Sequence, residues 1–276
     1  MLITEHFVLL NYPKTGSTFA RKAIKELQAT RLRERSTIQK ILQKTKLAQR
    51  PFCEELKLPN TRVKGVKRNP DQHGTYAQIP SRYRHLPVVS IVRNPYTHFL
   101  SAYQFRFWER NPPLSAQLLN EHFPHFPNLS LDDFVELVKL LVKHDILQGQ
   151  EIASNVGNQT VQFIRFFFKE PDKVLRELTN EYLDSSQPLK DLADITFLRQ
   201  ENLNEDLVNF LKKFGYSDHE LDFIRTKGRV NVTQTKTFDE KPLWTENAIQ
   251  YITTKERLLF RILENKGISY APPQTL

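Results

Sequence analysis

Residues 6–19 read His-Phe-Val-Leu-Leu-Asn-Tyr-Pro-Lys-Thr-Gly-Ser-Thr-Phe, an apolar run followed by a polar segment with proline and glycine. The apolar run over residues 6–12 has the length of a buried strand, and the following Pro-Lys-Thr-Gly segment has the residue types of a turn. Apolar residues then recur at helical spacing, at Phe19, Ala20, Ala23, Ile24 and Leu27. The stretch therefore predicts a strand, a tight loop and a helix that begins near Ser17, which is the opening of a βαβ unit.

The rest of the chain continues this alternation. Further strands are predicted at 61–67, 86–92 and 193–199. Helices are predicted from Ser36 to before Pro51, after Pro95, after the Ser130/Asp133 capping box, from Pro171 to Tyr182, after Asn202, and from Thr245 to Asn265 before Gly267. Strands that alternate with helices indicate an α/β fold with three layers, α/β/α, around a central, mostly parallel sheet. A length of 276 residues favours one domain over residues 1–276.

The cysteine content and the hydropathy pattern restrict the class of protein. Cys53 is the single cysteine of the chain, which excludes an internal disulfide and a multi-cysteine metal site. No run approaches the roughly 20 apolar residues that a transmembrane helix needs, and the first residues lack a basic segment and a cleavage site. We therefore expect neither a membrane anchor nor a signal peptide, and a cytoplasmic location.

The net charge of +9 is unevenly distributed along the chain. Residues 1–110 contain 21 Lys and Arg against 7 Asp and Glu, whereas the remainder contains 19 against 24. A basic amino-terminal part attracts anions, which include nucleotides, acidic glycans, nucleic acids and membrane surfaces. Charge alone does not choose among these partners, and an ordinary solvated surface has the same composition.

The loop between the first predicted strand and helix is a candidate anion site. Backbone N–H groups at a helix start and the positive end of the helix dipole both favour an anion. Gly16 permits close approach, Ser17 and Thr18 add hydroxyl donors, and Lys14 adds a charge. Alternatively, the loop is a solvated turn in which Ser17 caps the helix. It is not a Walker A loop, because Ser17 stands where that motif has its lysine.

A second candidate anion site follows the strand predicted at 86–92. This strand ends in Arg93, where a nucleoside-triphosphatase usually has a metal-binding aspartate, and a guanidinium there binds phosphate directly. Ser101 lies eight residues later, with a helix starting at Pro95 between the two, so its hydroxyl can approach the same strand end. Taken alone, Arg93 is also compatible with a surface charge and Ser101 with an ordinary helix residue.

Together the two motifs resemble those of sulfotransferases that use 3′-phosphoadenosine 5′-phosphosulfate. The segment at 12–19 is similar to the 5′-phosphosulfate loop of that family, and Val-Arg-Asn-Pro-Tyr-Thr-His-Phe-Leu-Ser-Ala-Tyr at 92–103 is similar to its 3′-phosphate motif. Weaker similarity continues at 197–203 and 230–233. The resemblance implies a P-loop-like α/β/α fold and an enzyme that transfers a sulfuryl group to a hydroxyl acceptor.

The resemblance also implies how the nucleotide co-substrate is bound. The 5′-phosphosulfate would be held by Lys14, Thr15, Gly16, Ser17 and Thr18, and the 3′-phosphate by Arg93 and Ser101. Phe19 stands where cytosolic members have an aromatic residue that stacks on adenine, although an aromatic ring in a first helical turn is as often a core residue. The loop at 227–236 is similar to the segment that closes over the nucleotide.

Lys14 and His73 are the candidate catalytic residues. Lys14 would stabilise the departing phosphate, and His73 would accept the proton of the attacking hydroxyl, because its interval to Arg93 is similar to that in cytosolic sulfotransferases. A histidine in this context is otherwise an ordinary loop residue. Asp71 stands where the cytosolic branch of the family usually has a lysine, and some carbohydrate branches use a glutamate, so Glu54 and Glu55 remain as alternative bases.

No metal site is assigned. The spacing of His122 and His125 is compatible with metal ligands, but no third ligand is evident and the surrounding phenylalanines favour packing.

The acceptor is the least defined part of the prediction. The motifs are closer to those of carbohydrate sulfotransferases, which favours a glycan hydroxyl; phenolic, tyrosyl and other small-molecule acceptors remain alternatives. A P-loop kinase is a second candidate, disfavoured by Arg93. A third is a binding protein for polyanions that uses the basic segment at 36–50. No DNA partner is expected, and the sequence does not indicate the oligomeric state.

Overall fold

The computed structural model describes residues 1–34, 36, 41, 44, 51–59, 69–147, 150–226 and 244–274. Its strands are β1 (Leu2–Thr4), β2 (Val8–Leu10), β3 (Cys53–Glu55), β4 (Val88–Val92) and β5 (Ile195–Arg199). Its helices are α1 (Ser17–Arg33), α2 (Pro95–Phe105), α3 (Phe107–Arg110), α4 (Ala116–His122), α5 (Leu131–Leu141), α6 (Asn158–Phe167), α7 (Pro171–Arg176), α8 (Asn180–Asp184), α9 (Gln187–Asp191), α10 (Leu203–Lys212), α11 (Asp218–Thr226), α12 (Glu246–Lys255) and α13 (Arg257–Asn265). The strand predicted at 61–67, and most of the helix predicted from Ser36, lie outside the described residues.

The chain divides into two compact units. Among the described residues, the first unit comprises those of 1–93 outside the gap at 60–68, together with 194–226. The second comprises those of 94–193 together with 244–274. The assignment of residues 1–276 to one domain remains a prediction.

The first unit contains a five-stranded sheet with the order β3-β1-β2-β4-β5. β2 pairs with β4, and β4 with β5, in parallel, whereas β1 is antiparallel to both β2 and β3. Within this sheet β1 therefore runs against the other four strands. This arrangement confirms the predicted α/β class; the sheet is mixed, with two parallel and two antiparallel pairings among the described strands.

The amino-terminal hairpin was not predicted from the sequence. Residues 6–12 were expected to form one strand, but β2 covers only Val8–Leu10 and is preceded by β1 and a tight turn. The hydroxyl oxygen of Thr4 accepts hydrogen bonds from the backbone N–H groups of His6 at 3.2 Å and Phe7 at 3.1 Å. This side-chain-stabilised turn interrupts the apolar run and creates the antiparallel strand.

The core of the first unit explains why α1 lies on the sheet. All residues of β4 are buried, as expected of a central parallel strand. The predicted apolar face of α1 is buried in the same cluster as residues of the sheet and of α10 and α11, a set that includes Phe19, Ile24, Leu9, Val89, Leu207 and Leu221. This packing holds α1 against the sheet, and the helix begins at the end of the loop that follows β2.

The second unit is mainly helical and corrects two helix predictions. The helix expected from Pro171 to Tyr182 is divided into α7 and α8, because the Thr179 hydroxyl caps a new helix by accepting from the Tyr182 N–H at 3.1 Å. The helix expected from Thr245 to Asn265 breaks at Glu256, whose side chain turns into the core. The capping box of Ser130 and Asp133 is present at α5, as predicted.

No helix in the described part of the chain combines the length and the apolar character that a membrane crossing requires.

Candidate functional site: an anion-binding edge of the sheet

The loop after β2 is held in shape by its own hydroxyl groups. The carbonyl oxygen of Tyr12 accepts hydrogen bonds from Thr15 Oγ1 at 2.9 Å and from Ser17 Oγ at 3.1 Å. Both hydroxyl-bearing residues are buried. Thr15 and Ser17 therefore brace the loop from inside, so the groups that this loop offers to a ligand are mainly backbone N–H groups.

Two residues of the loop have left-handed backbone conformations, Lys14 with φ 63° and Gly16 with φ 86°. Gly16 is also closely packed: a Cβ atom at this position would lie 3.1 Å from Leu203 Cδ2 and 3.3 Å from Gln200 Cγ. The conformation therefore favours glycine, and a side chain here would also crowd Leu203 and Gln200. Successive backbone N–H groups in turn conformations of this kind can form an anion-binding concavity.

α1 begins at Ser17, directly after this loop. Its N-cap residue is Gly16, which has no side chain to cap the helix. The prediction of a helix that begins near Ser17 is confirmed, but Ser17 is its first residue and not its cap. A 17-residue helix with no side-chain cap presents the positive end of its dipole beside the loop.

The two cations predicted from separate motifs meet at this loop. β2 and β4 are parallel with Leu10 opposite Ser90, so Lys14 and Arg93 both follow the carboxyl ends of neighbouring strands. Arg93 Nη1 donates a hydrogen bond to the main-chain carbonyl of Lys14 at 3.2 Å. The pKa of Lys14 is lowered, chiefly by burial and further by the positive charge of Arg93. Two half-buried cations that repel each other favour the binding of an anion between them.

A second arginine lies on the next strand of the sheet and was not assigned a role from the sequence. Arg199 is the last residue of β5 and lies opposite Val92 of β4. Asp206 binds its guanidinium through Nε at 2.9 Å and Nη2 at 2.7 Å, and also accepts from its backbone N–H at 2.8 Å. This fork holds the turn between β5 and α10, so Arg199 has a structural role.

The His73 side chain contacts the residue that follows β2. Its Nδ1 is 2.7 Å from the main-chain carbonyl oxygen of Asn11, the residue that follows β2. Two residues earlier, the Oδ1 atom of Asp71 accepts a hydrogen bond from the His73 N–H at 2.7 Å. In the first unit, His73 is therefore attached to the same strand end that leads into the Lys14 loop.

The two alternative bases, Glu54 and Glu55, lie on β3 at the edge of the sheet. Glu55 forms ion pairs with Arg21 and Lys25, and the hydrogen bond from Lys25 is the main cause of its lowered pKa. Glu54 accepts a hydrogen bond from the Tyr83 hydroxyl at 2.8 Å. A carboxylate whose pKa is lowered is a weaker base, which disfavours Glu55 relative to His73.

The remaining predicted site residues differ in their surroundings. Phe19 is 5% exposed and packs in the core of the first unit, and its role in adenine stacking stays a prediction. Thr18 is half-buried in the first turn of α1. Ser101 lies half-buried on α2 in the second unit, and its expected action with Arg93 stays a prediction. The loop at 227–236 lies outside the described residues.

Within the described ranges, no three His, Cys, Asp or Glu side chains are grouped as metal ligands would be. His122 is the last residue of α4, and His125 follows it in the loop before α5.

Comparisons with known proteins found similarity to solved structures. No protein-family model matches this chain, and no curated protein matches it significantly. Among solved structures, the chain is similar to the crystal structure of mouse sulfotransferase SULT7A1 in complex with PAP, with 15% sequence identity and a TM-score of 0.38. The similarity covers 95% of this chain and 84% of that one.

Proposed function

We propose that this protein is a sulfotransferase that uses 3′-phosphoadenosine 5′-phosphosulfate as sulfuryl donor. The observation that carries the proposal is the hydrogen bond from Arg93 to the Lys14 carbonyl, which brings two cations from separate strand ends to the start of α1. A strand end with arginine in place of a metal-binding aspartate suits a doubly phosphorylated nucleotide that binds without Mg²⁺. The same observation disfavours a P-loop kinase.

The donor would be held at both of its phosphate groups. The backbone N–H groups of the Lys14–Thr18 loop and the dipole of α1 would bind the 5′-phosphosulfate, while Arg93, with Ser101, would bind the 3′-phosphate. Thr15 and Ser17 would contribute mainly by shaping the loop, because their hydroxyl groups donate to Tyr12.

His73 and Lys14 would divide the chemistry between them. His73 would take the proton of the acceptor hydroxyl as its oxygen attacks sulfur, and the bond from sulfur to the 5′-phosphate oxygen would break with its electrons left on that oxygen. Lys14 would stabilise the negative charge that develops there. The products would be a sulfate ester and adenosine 3′,5′-bisphosphate.

The acceptor would be a carbohydrate hydroxyl group, as the resemblance of the residue 72–76 and 92–96 segments to carbohydrate sulfotransferases suggests. The single cysteine, Cys53, whose pKa is raised to about 11 chiefly by burial, is compatible with work in a reducing compartment such as the cytoplasm.

Incubation of the protein with donor labelled at sulfur, and with a panel of glycans, phenols and tyrosine-containing peptides, tests the proposal. We expect label to move to a glycan in the absence of added metal. Transfer to a phenol or peptide would support the proposed sulfotransferase activity but would show that the acceptor is not a glycan. Mg²⁺-dependent hydrolysis of ATP without sulfuryl transfer would replace it by the kinase alternative.

A further inference from the structure

Asn11 joins the candidate anion loop to the candidate base. It follows β2 directly, is 1% exposed, and precedes Lys14 by three residues. Its main-chain carbonyl lies 2.7 Å from His73 Nδ1, and its side-chain Nδ2 donates to the main-chain carbonyl of Gln72 at 3.1 Å. One buried residue therefore holds both the histidine ring and the backbone immediately before it.

The contact with the ring determines which nitrogen carries the proton. A main-chain carbonyl oxygen only accepts hydrogen bonds, so His73 Nδ1 must carry the hydrogen in this contact. In the neutral ring with hydrogen on Nδ1, the lone pair that can accept a proton belongs to Nε2. The position of the Asn11 carbonyl relative to the ring thus decides which atom of His73 acts as the base.

The side chain of Asn11 also helps to hold the His73 ring next to the Asn11 carbonyl. Its hydrogen bond to Gln72 ties the strand end to the 71–73 turn, and the Asp71 carboxylate braces the same turn at the His73 N–H. The Oδ1 atom of Asn11 is buried and has no hydrogen-bond partner in the described part of the chain. Burial of an amide whose oxygen makes no hydrogen bond costs free energy. We therefore infer that the other hydrogen bond of this amide, from Nδ2 to the Gln72 carbonyl, has a function.

We propose that Asn11 is a positioning residue that holds His73 in the Nδ1–H tautomer, so that Nε2 accepts the proton of the acceptor hydroxyl. This inference rests on the sulfotransferase function proposed above, in which His73 is the base. Asn11 itself is not expected to touch either substrate during proton transfer.

Two substitutions separate this role from simple packing. Asn11→Asp keeps the shape of the side chain but places a carboxylate oxygen, which cannot donate, against the Gln72 carbonyl. Asn11→Ala removes the side-chain hydrogen bond to Gln72. Asn209→Asp makes the same change at an exposed position on α10 of the same unit and is the matched control. We expect kcat to fall by about tenfold to a hundredfold in both Asn11 variants, with the donor KM within about twofold, as for a misplaced catalytic group.

The direct readout is the tautomer of His73, measured by nitrogen-15 NMR of protein labelled at histidine, with His73→Gln used to assign the signal. We expect a neutral Nδ1–H ring in the unchanged protein and in Asn209→Asp, and a gain of the Nε2–H form in both Asn11 variants. An Nε2–H ring in the unchanged protein would overturn the proposal without any variant having to fold. So would an unchanged tautomer and kcat in the Asn11 variants.

This measurement is independent of the proposed function. The tautomer is observed without donor or acceptor, whereas binding of adenosine 3′,5′-bisphosphate to the unchanged protein tests the sulfotransferase. A protein that fails to bind the nucleotide but shows the expected tautomers would lose the proposed function and retain the role of Asn11 in orienting His73.

Discussion

Arg93 and Arg199 end neighbouring parallel strands, but their guanidinium groups have different partners. Arg93 reaches across to the Lys14 carbonyl of the anion loop, whereas Arg199 is bound in a two-nitrogen fork by Asp206. The register places Arg199 opposite Val92, so the two side chains start only one residue apart along the same sheet edge. Two arginines at similar positions on the sheet therefore have different hydrogen-bond partners.

This difference provides a matched test of the second anion site. Arg93→Ala should weaken the binding of adenosine 3′,5′-bisphosphate by about tenfold to a hundredfold, since a hydrogen bond to a charged group contributes about 1.5–3 kcal/mol. Arg199→Ala should change the dissociation constant by less than about threefold, because its charge is already paired with Asp206. Equilibrium dialysis of labelled nucleotide measures both. Equal losses in the two variants would show only a general effect of positive charge.

Gly16 should be required for two separable reasons. Gly16→Ala and Gly215→Ala both place a side chain at positive φ, at 86° and 75°, with a cost of about 1–2 kcal/mol each. A Cβ at Gly215 meets nothing within 4 Å, whereas at Gly16 it crowds Leu203 and Gln200. Gly16→Ala should therefore reduce the free energy of unfolding by about 1–3 kcal/mol more than Gly215→Ala. Urea unfolding followed by circular dichroism gives the difference, and similar losses would contradict the crowding.

His73→Ala should separate chemistry from binding. We expect kcat to fall by about a hundredfold to ten-thousandfold, the usual contribution of a general base, while the affinity for adenosine 3′,5′-bisphosphate is retained. His85→Ala removes an exposed histidine from the same unit and is the control for the substitution itself. Loss of nucleotide binding in His73→Ala would argue against its assignment as the base.

Glu256 should make the second unit sensitive to pH. Its carboxyl is fully buried and accepts hydrogen bonds from Gln159 N at 3.0 Å and from Thr160 N and Oγ1 at 2.6 and 2.7 Å. Burial outweighs these hydrogen bonds and raises its pKa from 4.5 to about 7. The stability that it contributes is present below pH 4.5 and is lost as pH rises through about 7; at about 1.4 kcal/mol per pKa unit this amounts to about 3 kcal/mol.

The comparison with Glu256→Gln measures this effect, because the variant has no carboxyl to ionise. The free energy of unfolding of the unchanged protein should fall relative to the variant between pH 4 and pH 8. Trp108 and Trp244 are the two tryptophans of the chain and both lie in the second unit, so their fluorescence reports on the unit that contains Glu256. Parallel pH dependences would contradict the prediction.

The sequence predicts the parts of this structure that depend on local pattern. The helix that begins at Ser17 and the buried strand before Arg93 follow from hydrophobic spacing and turn residues, and the structure has both. The breaks at Thr179 and Glu256 were missed because each depends on a hydrogen bond that competes with an otherwise continuous helical pattern. In the case of Glu256, the partners lie about 100 positions away in the chain, at Gln159 and Thr160.

In the candidate site too, residues in local motifs could be predicted from the sequence, whereas a residue that acts through distant contacts could not. Lys14 and Arg93 could be named from short motifs, because charged and hydroxyl residues after a strand have a direct chemical meaning. Asn11 could not, since its contacts to residues 72 and 73 form only when the chain folds back on β2. Its position as a polar residue at the end of an apolar run, directly before Tyr12, is the one sequence signal that points to it.

In the proposed complex, Lys14 and Arg93 bind opposite ends of one doubly phosphorylated adenosine. Isothermal titration calorimetry with adenosine 3′,5′-bisphosphate, and in parallel with adenosine 5′-monophosphate, measures this binding. We expect saturable binding of the bisphosphate without Mg²⁺, and an affinity at least about tenfold lower for the monophosphate, which lacks the group assigned to Arg93. No heat of binding at millimolar bisphosphate, or equal affinities for the two nucleotides, would contradict it.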